Sequence, residues 1–398
     1  MEMRRIWLAL AVAALIIAST ITAFKLSGRR LAAIGREYVV LMVAPRVDDP
    51  YYADVFEDVV EFQANVAETM DGRGRVLFIV DRHTWNSLDE ACREKLRECR
   101  VWGSVYDIWV RDYAPVCVQG RLYMFKYRPS YLDEQEAEWI QNSFKEFLDK
   151  HGVEYTTVDL VLDGGNFVYD GEGKLIVTER VLKDNPDMTR DEVISTLKAI
   201  PGVDEVAMIP EEPGDLTGHA DGMVLWLSPK KLLVNRYEEP FRSRLLKILE
   251  EAFPEVEVVE VPYRPSNETW KGFPSACGDY VNALVTNWAV YVPVYGSPLD
   301  EEALEVFREN TDKEVIPIDA SAVCFMGGSL HCLTWDVPPK PQGSSATRAD
   351  STQIKPSTET SPGLVDRPGL EPGTSALQAQ RPSSLDHRPT KVVRPRRS

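Results

Sequence analysis

The sequence predicts an α+β fold with mixed sheets. Three observations carry this: short runs rich in β-branched residues, amphipathic stretches between them, and short links joining some of the runs. Residues 38–44 (YVVLMVA) and 76–80 (VLFIV) read as the first strands, with an amphipathic helix over 54–67 between them. A second helix is expected over 134–151. Strands at 175–178 and 206–209 flank a helix over 189–199, whose approach at 188–191 (MTRD) has the Thr-then-acid look of a helix start. Strands at 223–227 and 231–234 are joined by only a short connection, which departs from a strict βαβ series. A helix over 239–252, strands at 256–261 and 288–294 and a helix over 300–310 complete the pattern.

The 398 residues carry a formal charge of −17, unevenly placed. Residues 1–30 have a net of +4 and residues 339–398 a net of +5, leaving −26 on residues 31–338. A body that acidic repels phosphate backbones, so no nucleic-acid partner is expected. Hydrophobic residues at 44% and aromatics at 9% exclude general disorder. Three regions follow. Residues 6–24 are uncharged and flanked by basic residues, and as a helix would span roughly 28 Å, so residues 1–30 read as a membrane anchor or signal segment. Residues 31–338 form the folded domain. Residues 339–398, rich in Pro, Ser, Thr, Gln and Arg, are expected to be a disordered basic tail. The expected location is membrane-anchored, with the folded domain outside the cytoplasm, or secreted if the N-terminal segment is cleaved.

None of the six cysteines makes a CxxC pair or a zinc-spaced cluster, so no structural metal is expected. Cys92 and Cys99 are the pair that an oxidising compartment could join. There is no GxGxxG after a strand and no GxxxxGK[ST], so no nucleotide cofactor is expected.

Four patches place polar and Gly-rich residues at strand ends: 107–115 (DIWVRDYAP), 162–167 (LDGGNF), 215–222 (DLTGHADG) and 327–334 (GGSLHCLT). Cys332 follows a Gly-Gly turn that permits close approach of a substrate, and as a nucleophile it needs a nearby cation or base. The candidates are His219 and His331; His331 is adjacent, and on a strand would point to the opposite face. A buried structural thiol is the plainer alternative. His219 and Asp221 form an H-x-D pair which, on a strand, shares one face. Trp109 and Asp112 form a wall suited to a planar cation, through ion pairing and cation–π contact; alternatively Arg111 and the acids pair with one another. Asp163 is either a turn residue or a ligand. One Cys, one His and several Asp in an acidic body suit nucleophilic attack on a guanidinium carbon.

In this order, the patches resemble the agmatine deiminase and bacterial-type peptidylarginine deiminase family of guanidino-modifying enzymes. The strings are DIWVRDYAP, LDGGNFVYDGEGKLIVTERVL, TGHADGMV, DYVNALVTNWAVYVPVYGSPLDEEAL and GGSLHCLTWDVP. The resemblance implies the pentein α/β-propeller, five ββαβ modules around a pseudo-fivefold axis. It implies Cys332 as nucleophile, His219 as general acid/base, and Asp112 and Asp221 as the carboxylates that grip the guanidinium, beside Trp109. Asp163, Asn166, Asp215 and Arg128 are the further expected substrate contacts. The implied substrate is agmatine or arginine, free or peptidyl, converted without cofactor to a ureido product and ammonia through a Cys thiouronium adduct. Two departures stand out: Asp163 replaces the usual Glu before the Gly-Gly turn, and the run before Cys332 is shortened. Lys126 and Arg128 occupy a stretch where the peptidylarginine enzymes bind a C-terminal carboxylate. Amidino transfer and non-catalytic binding of cationic peptides are the alternatives.

Overall fold

The computed structural model describes residues 31–340 and Ile354. The apolar segment at 6–24 and the remainder of the tail lie outside the described residues. Among the described residues no helix is long and apolar enough to cross a membrane.

The predicted alternation becomes one motif used five times. Strand β1 (Val39–Val43) is followed by helix α1 (Phe56–Thr69), then β2 (Arg75–Val80), which lies parallel to β1. A further strand, β3 (Arg100–Trp102), extends this sheet. The next three modules are complete in sequence: an antiparallel hairpin, a helix, and a strand parallel to the second hairpin strand. They are β4 (Val116–Val118), β5 (Arg121–Lys126), α2 (Glu134–Lys150) and β6 (Thr156–Val161). Then come β7 (Val168–Tyr169), β8 (Lys174–Thr178), α3 (Arg190–Lys198) and β9 (Glu205–Ile209). The fourth comprises β10 (Val224–Ser228), β11 (Lys231–Asn235), α4 (Phe241–Ala252) and β12 (Glu257–Val261). A small hairpin of β13 (Thr269–Trp270) and β14 (Phe273–Pro274) intervenes. The fifth module is β15 (Leu284–Val285), β16 (Ala289–Val294), α5 (Asp300–Asn310) and β17 (Glu314–Asp319).

The first module lacks its own leading strand. It is supplied by β18 (Trp335–Val337) from the far end of the domain, antiparallel to β1 with Val39 opposite Val337. The parallel pairs need a crossover, and the helices provide it. All of β1 (VVLMV) is buried, as expected for a strand covered on both faces. Helix α2 buries Ala137, Ile140, Phe144, Phe147 and Leu148, the three-and-four spacing of one apolar face. Phe144 meets the ring of Trp335 at 5.5 Å, tying the second module to the closing strand. Its truncation to alanine would cost about 3–5 kcal/mol. Asp133 caps α2 by accepting from the Glu136 N–H at 2.8 Å, and Thr189 with Glu192 forms the capping box anticipated at the start of α3.

One expectation changes. The bonded cysteines are Cys277 and Cys324, which join the link between β12 and β15 to the turn before β18. Cys92 and Cys99 are not joined to each other: Cys92 is buried in the core, and the Cys99 thiol donates to the Leu96 carbonyl. One tail residue is also placed, since Ile354 pairs with the edge of β6 by accepting from the Asp159 N–H and donating to the Thr157 carbonyl.

Candidate active site

Each parallel strand leads through a connection into the next hairpin, and the functional patches are those connections. A polar residue stands two to four positions ahead of every hairpin or closing strand: Asp112 before β4, Asn166 before β7, Asp221 before β10, Asn282 before β15 and Cys332 before β18. The repeat delivers all five to the middle of the ring. Four of them, Asp112, Asp221, Asn282 and Cys332, line a cavity of about 330 Å³ together with His219, Trp109 and Asp215 among others.

Trp109 precedes a single helical turn, Val110–Tyr113, which separates its side chains. Asp112 lines the cavity, whereas Arg111 donates to Asp336 at 2.6 Å and to the His331 carbonyl at 3.3 Å. The predicted alternative of Arg111 pairing with its neighbouring acids is therefore not what forms.

Gly164 and Gly165 are required by close approach. A Cβ on Gly164 would lie 2.0 Å from the Arg111 carbonyl oxygen. One on Gly165 would lie 2.6 Å from His219 Nδ1, 2.8 Å from Asp112 Oδ1 and 3.2 Å from Asp221 Oδ1. The Asp221 N–H donates to the Gly165 carbonyl at 3.0 Å, locking the two patches together. The H-x-D pair sits in a turn ahead of β10 rather than on a strand, so this backbone bond, not strand periodicity, aligns its side chains.

His219 Nε2 is 3.1 Å from Asp163 Oδ2, and Nδ1 is 3.5 Å from Asp112 Oδ1. Burial alone would lower its pKa, but Asp112, Asp163 and Asp221 outweigh burial and raise it to about 10, so the ring is a cation at neutral pH. Burial pushes the Asp112 carboxyl up, to about 8, with His219 opposing the shift. Asp112 Oδ1 is buried without a hydrogen-bond partner, an acceptor open to an incoming N–H. Burial would also raise Asp221, but the bond from His331 and nearby positive charge hold it below the usual carboxylate range.

Asn282 organises the nucleophile. Its Oδ1 accepts from the backbone N–H groups of Ser329 and His331, at 3.2 and 3.1 Å, and its Nδ2 lies 3.2 Å from Cys332 Sγ. Gly328 is again a close approach, since a Cβ there would stand 2.6 Å from the Trp109 ring and 2.9 Å from Cys332 Cβ. Burial, then Asp221 and Asp112, push the Cys332 thiol well above its ordinary pKa, which favours the protonated form. A cation placed between the two carboxylates would cancel that repulsion.

The remaining expected contacts divide. Asp215 lines the cavity and accepts from Thr217 and from the Gly218 N–H. Asp163 stands behind His219 as its partner. Asn166 does not line the cavity; its Oδ1 is taken by the Thr178 N–H at 2.8 Å, a structural role. Arg128 is drawn away to Glu134 at 2.8 Å and Glu138 at 3.4 Å, and Lys126 pairs with Asp159, so neither cation reaches the cavity. Among the described residues seven carboxyl groups line it, those of Asp107, Asp112, Asp215, Asp221 and Asp279 with Glu212 and Glu268, and no Lys or Arg does. Burial raises Glu212 to about 7 and Asp279 well above the usual range. Sequence reasoning missed Asn282 and the contact of His331 with Asp221, at 2.6 Å. The signal for Asn282 was positional: it occupies in the fifth module the place of Asp221 in the fourth. Among the described residues no His, Cys, Asp and Glu group has the arrangement of metal ligands.

Five ββαβ modules bring a thiol, an imidazole and paired carboxylates to one cavity, the site of a hydrolase acting on amidine C–N bonds. The Porphyromonas-type peptidyl-arginine deiminase family profile matches residues 31–338, and the chain belongs to that family. It is 27% identical over 287 residues to an agmatine deiminase of Ectopseudomonas mendocina, covering 60% of this chain and 76% of the relative. The agmatine deiminase structure from Enterococcus faecalis superposes with a TM-score of 0.64 at 20% identity, covering 77% of this chain and 94% of that one. An agmatine deiminase from C. jejuni superposes with a TM-score of 0.62 at 19% identity, covering 76% and 93%. At these identities the two superpositions establish the fold.

Proposed function

We propose that this chain deiminates agmatine, or a closely similar guanidine without a carboxylate, to the ureido product and ammonia. The observation that carries the choice is the cavity wall of seven carboxyl groups without a Lys or Arg. A free or C-terminal arginine would bring its own carboxylate against that wall, uncompensated. An amine at the far end of the substrate suits it.

In this reading Asp112 and Asp221 hold the guanidinium nitrogens, and Trp109 covers its face. As the substrate's charge offsets theirs, the Cys332 thiol releases its proton to solvent water and Sγ bonds to the guanidinium carbon, the C=N electron pair moving to nitrogen. His219, already charged, donates a proton to one amino group; the C–N bond breaks and ammonia leaves. The thiouronium adduct is then attacked by water, whose proton returns to His219. Collapse breaks the C–S bond and leaves the ureido product. A guanidinium and one water become a urea, one ammonia and one proton.

The test is an ammonia-release panel on the full chain with agmatine, arginine, and peptides carrying internal or C-terminal arginine. Agmatine is expected to be turned over with the highest kcat/KM. No release from agmatine, or a preference for C-terminal arginine, would overturn the reading.

We also propose that the domain works outside the cytoplasm, held to a membrane by residues 6–24. The apolar length of that segment supports this, as does the Cys277–Cys324 bond, a linkage that persists in oxidising compartments. Cell fractionation with protease shaving of intact cells checks it; domain that is soluble and protected inside the cell would refute it.

A further inference from the structure

A second cavity, of about 480 Å³, is lined by residues from the leading strands of all five modules: β4, β7, β10, β15 and β18. It therefore occupies the middle of the ring on the hairpin side, behind the substrate cavity. Among the described residues Asp221 is the one that lines both. His331 lines the rear cavity and not the front one.

The two oxygens of Asp221 have different surroundings. Oδ1 faces the same space as Asp112 Oδ1 and His219 Nδ1, as their shared approach to Gly165 shows. Oδ2 lies 3.8 Å from Cys332 Sγ and 2.6 Å from His331 Nδ1. A carboxylate that must grip a cationic substrate is thus also the negative charge nearest the sulfur, where it opposes the thiolate. An imidazole donating to that same oxygen separates the two tasks.

We propose that His331 is a positioning residue that occupies the Asp221 oxygen beside the nucleophile, leaving the other oxygen for the guanidinium, and that it is reached by small molecules through the rear cavity while substrate fills the front one. The groups facing His331 are Asp221, Arg111, which donates to its carbonyl, and Asp336, which takes the Arg111 guanidinium and the Tyr38 hydroxyl. Asp170, Lys313, Tyr169 and Cys117 share the wall of the rear cavity. Arg111 and Asp336 form a closed pair at 2.6 Å, which leaves the imidazole as the group that shields Asp221 on this side.

The inference rests on the proposed deiminase reading, so its first measurement needs no substrate. In the full chain, alkylation of Cys332 by iodoacetamide is followed against pH by mass spectrometry of the peptide that carries it. In His331→Ala the profile is expected to move to higher pH, with the rate near neutrality down about tenfold. His331→Gln, whose amide can still donate to Asp221, should recover part of the loss. In ammonia release from agmatine, kcat of His331→Ala should fall by about 10²-fold. Added imidazole should restore it saturably, at a concentration that does not change as agmatine is raised. An unmoved alkylation profile, a His331→Gln variant no better than alanine, or rescue that agmatine competes away would each overturn the proposal. If agmatine is not the substrate, the alkylation profile still decides the role of His331.

Discussion

Replacing Gly165 by alanine puts one methyl group among the three side chains on which the proposed chemistry depends. Its Cβ would stand 2.6 Å from His219 Nδ1 and 2.8 Å from Asp112 Oδ1, against non-bonded separations of about 3.5 Å. Relief therefore needs shifts of about 0.9 Å and about 0.7 Å in two buried groups. A displacement of about 1 Å at a reacting centre costs about 10²-fold, equivalent to about 2.7 kcal/mol in the barrier. The overpacking itself should lower stability by about 1–3 kcal/mol, leaving the protein folded. Steady-state ammonia release from agmatine, paired with thermal unfolding, reads both quantities. Gly164→Ala is the companion variant: its Cβ meets the Arg111 backbone oxygen at 2.0 Å, which no rotamer can relieve, so the loss should appear in folding. A Gly165→Ala enzyme within about threefold of the parent kcat/KM would refute the packing argument. So would a Gly164→Ala protein as stable as the parent.

Further outcomes are expected. Cys332→Ala should abolish ammonia release while leaving the unfolding midpoint nearly unchanged; residual turnover above background would remove Cys332 as nucleophile. The pH profile of kcat/KM should rise as Asp112 ionises, near about 8, because its carboxylate is needed to hold the cation, and fall near about 10 as His219 loses the proton it must donate. A flat profile from pH 6 to pH 8 would contradict the first assignment. Arg128→Ala should leave kcat/KM for agmatine within about twofold, since the guanidinium is spent on Glu134 and Glu138 at the surface. Replacing Cys277 and Cys324 together by alanine opens a link spanning 47 residues, and chemical denaturation should show a loss of about 4 kcal/mol by the loop-entropy relation. An unchanged midpoint and slope would show that the link contributes nothing.

The sequence made some parts of this molecule plain and hid others for physical reasons. The runs at 38–44, 76–80 and 288–294 lie within a few residues of β1, β2 and β16, because strands buried on both faces must be continuously apolar. Strand β6 (TTVDLV) and β17 (EVIPID) were missed, because half-exposed strands mix polar residues into a pattern that loops share. The four catalytic candidates converge as expected, since glycines and acids at strand ends are chemically conspicuous. Asn282 was not conspicuous: an amide reveals its role only through what it reaches, here the Cys332 sulfur and the N–H groups around it. Arg128 failed in the opposite way. Its position in the chain was suggestive, and the acids opening α2 claimed it. The repeat itself was invisible because its first copy is split between the two ends of the domain.

That split also sets where along the chain the site is completed. Cys332 lies three residues before β18, the last of the described strands and the one that pairs with β1 from the far end of the domain. Modules two to five, ending with β17, all precede it in the chain. Among the residues that line the substrate cavity Cys332 is the last in the chain, so it joins the site together with the strand that completes the first sheet.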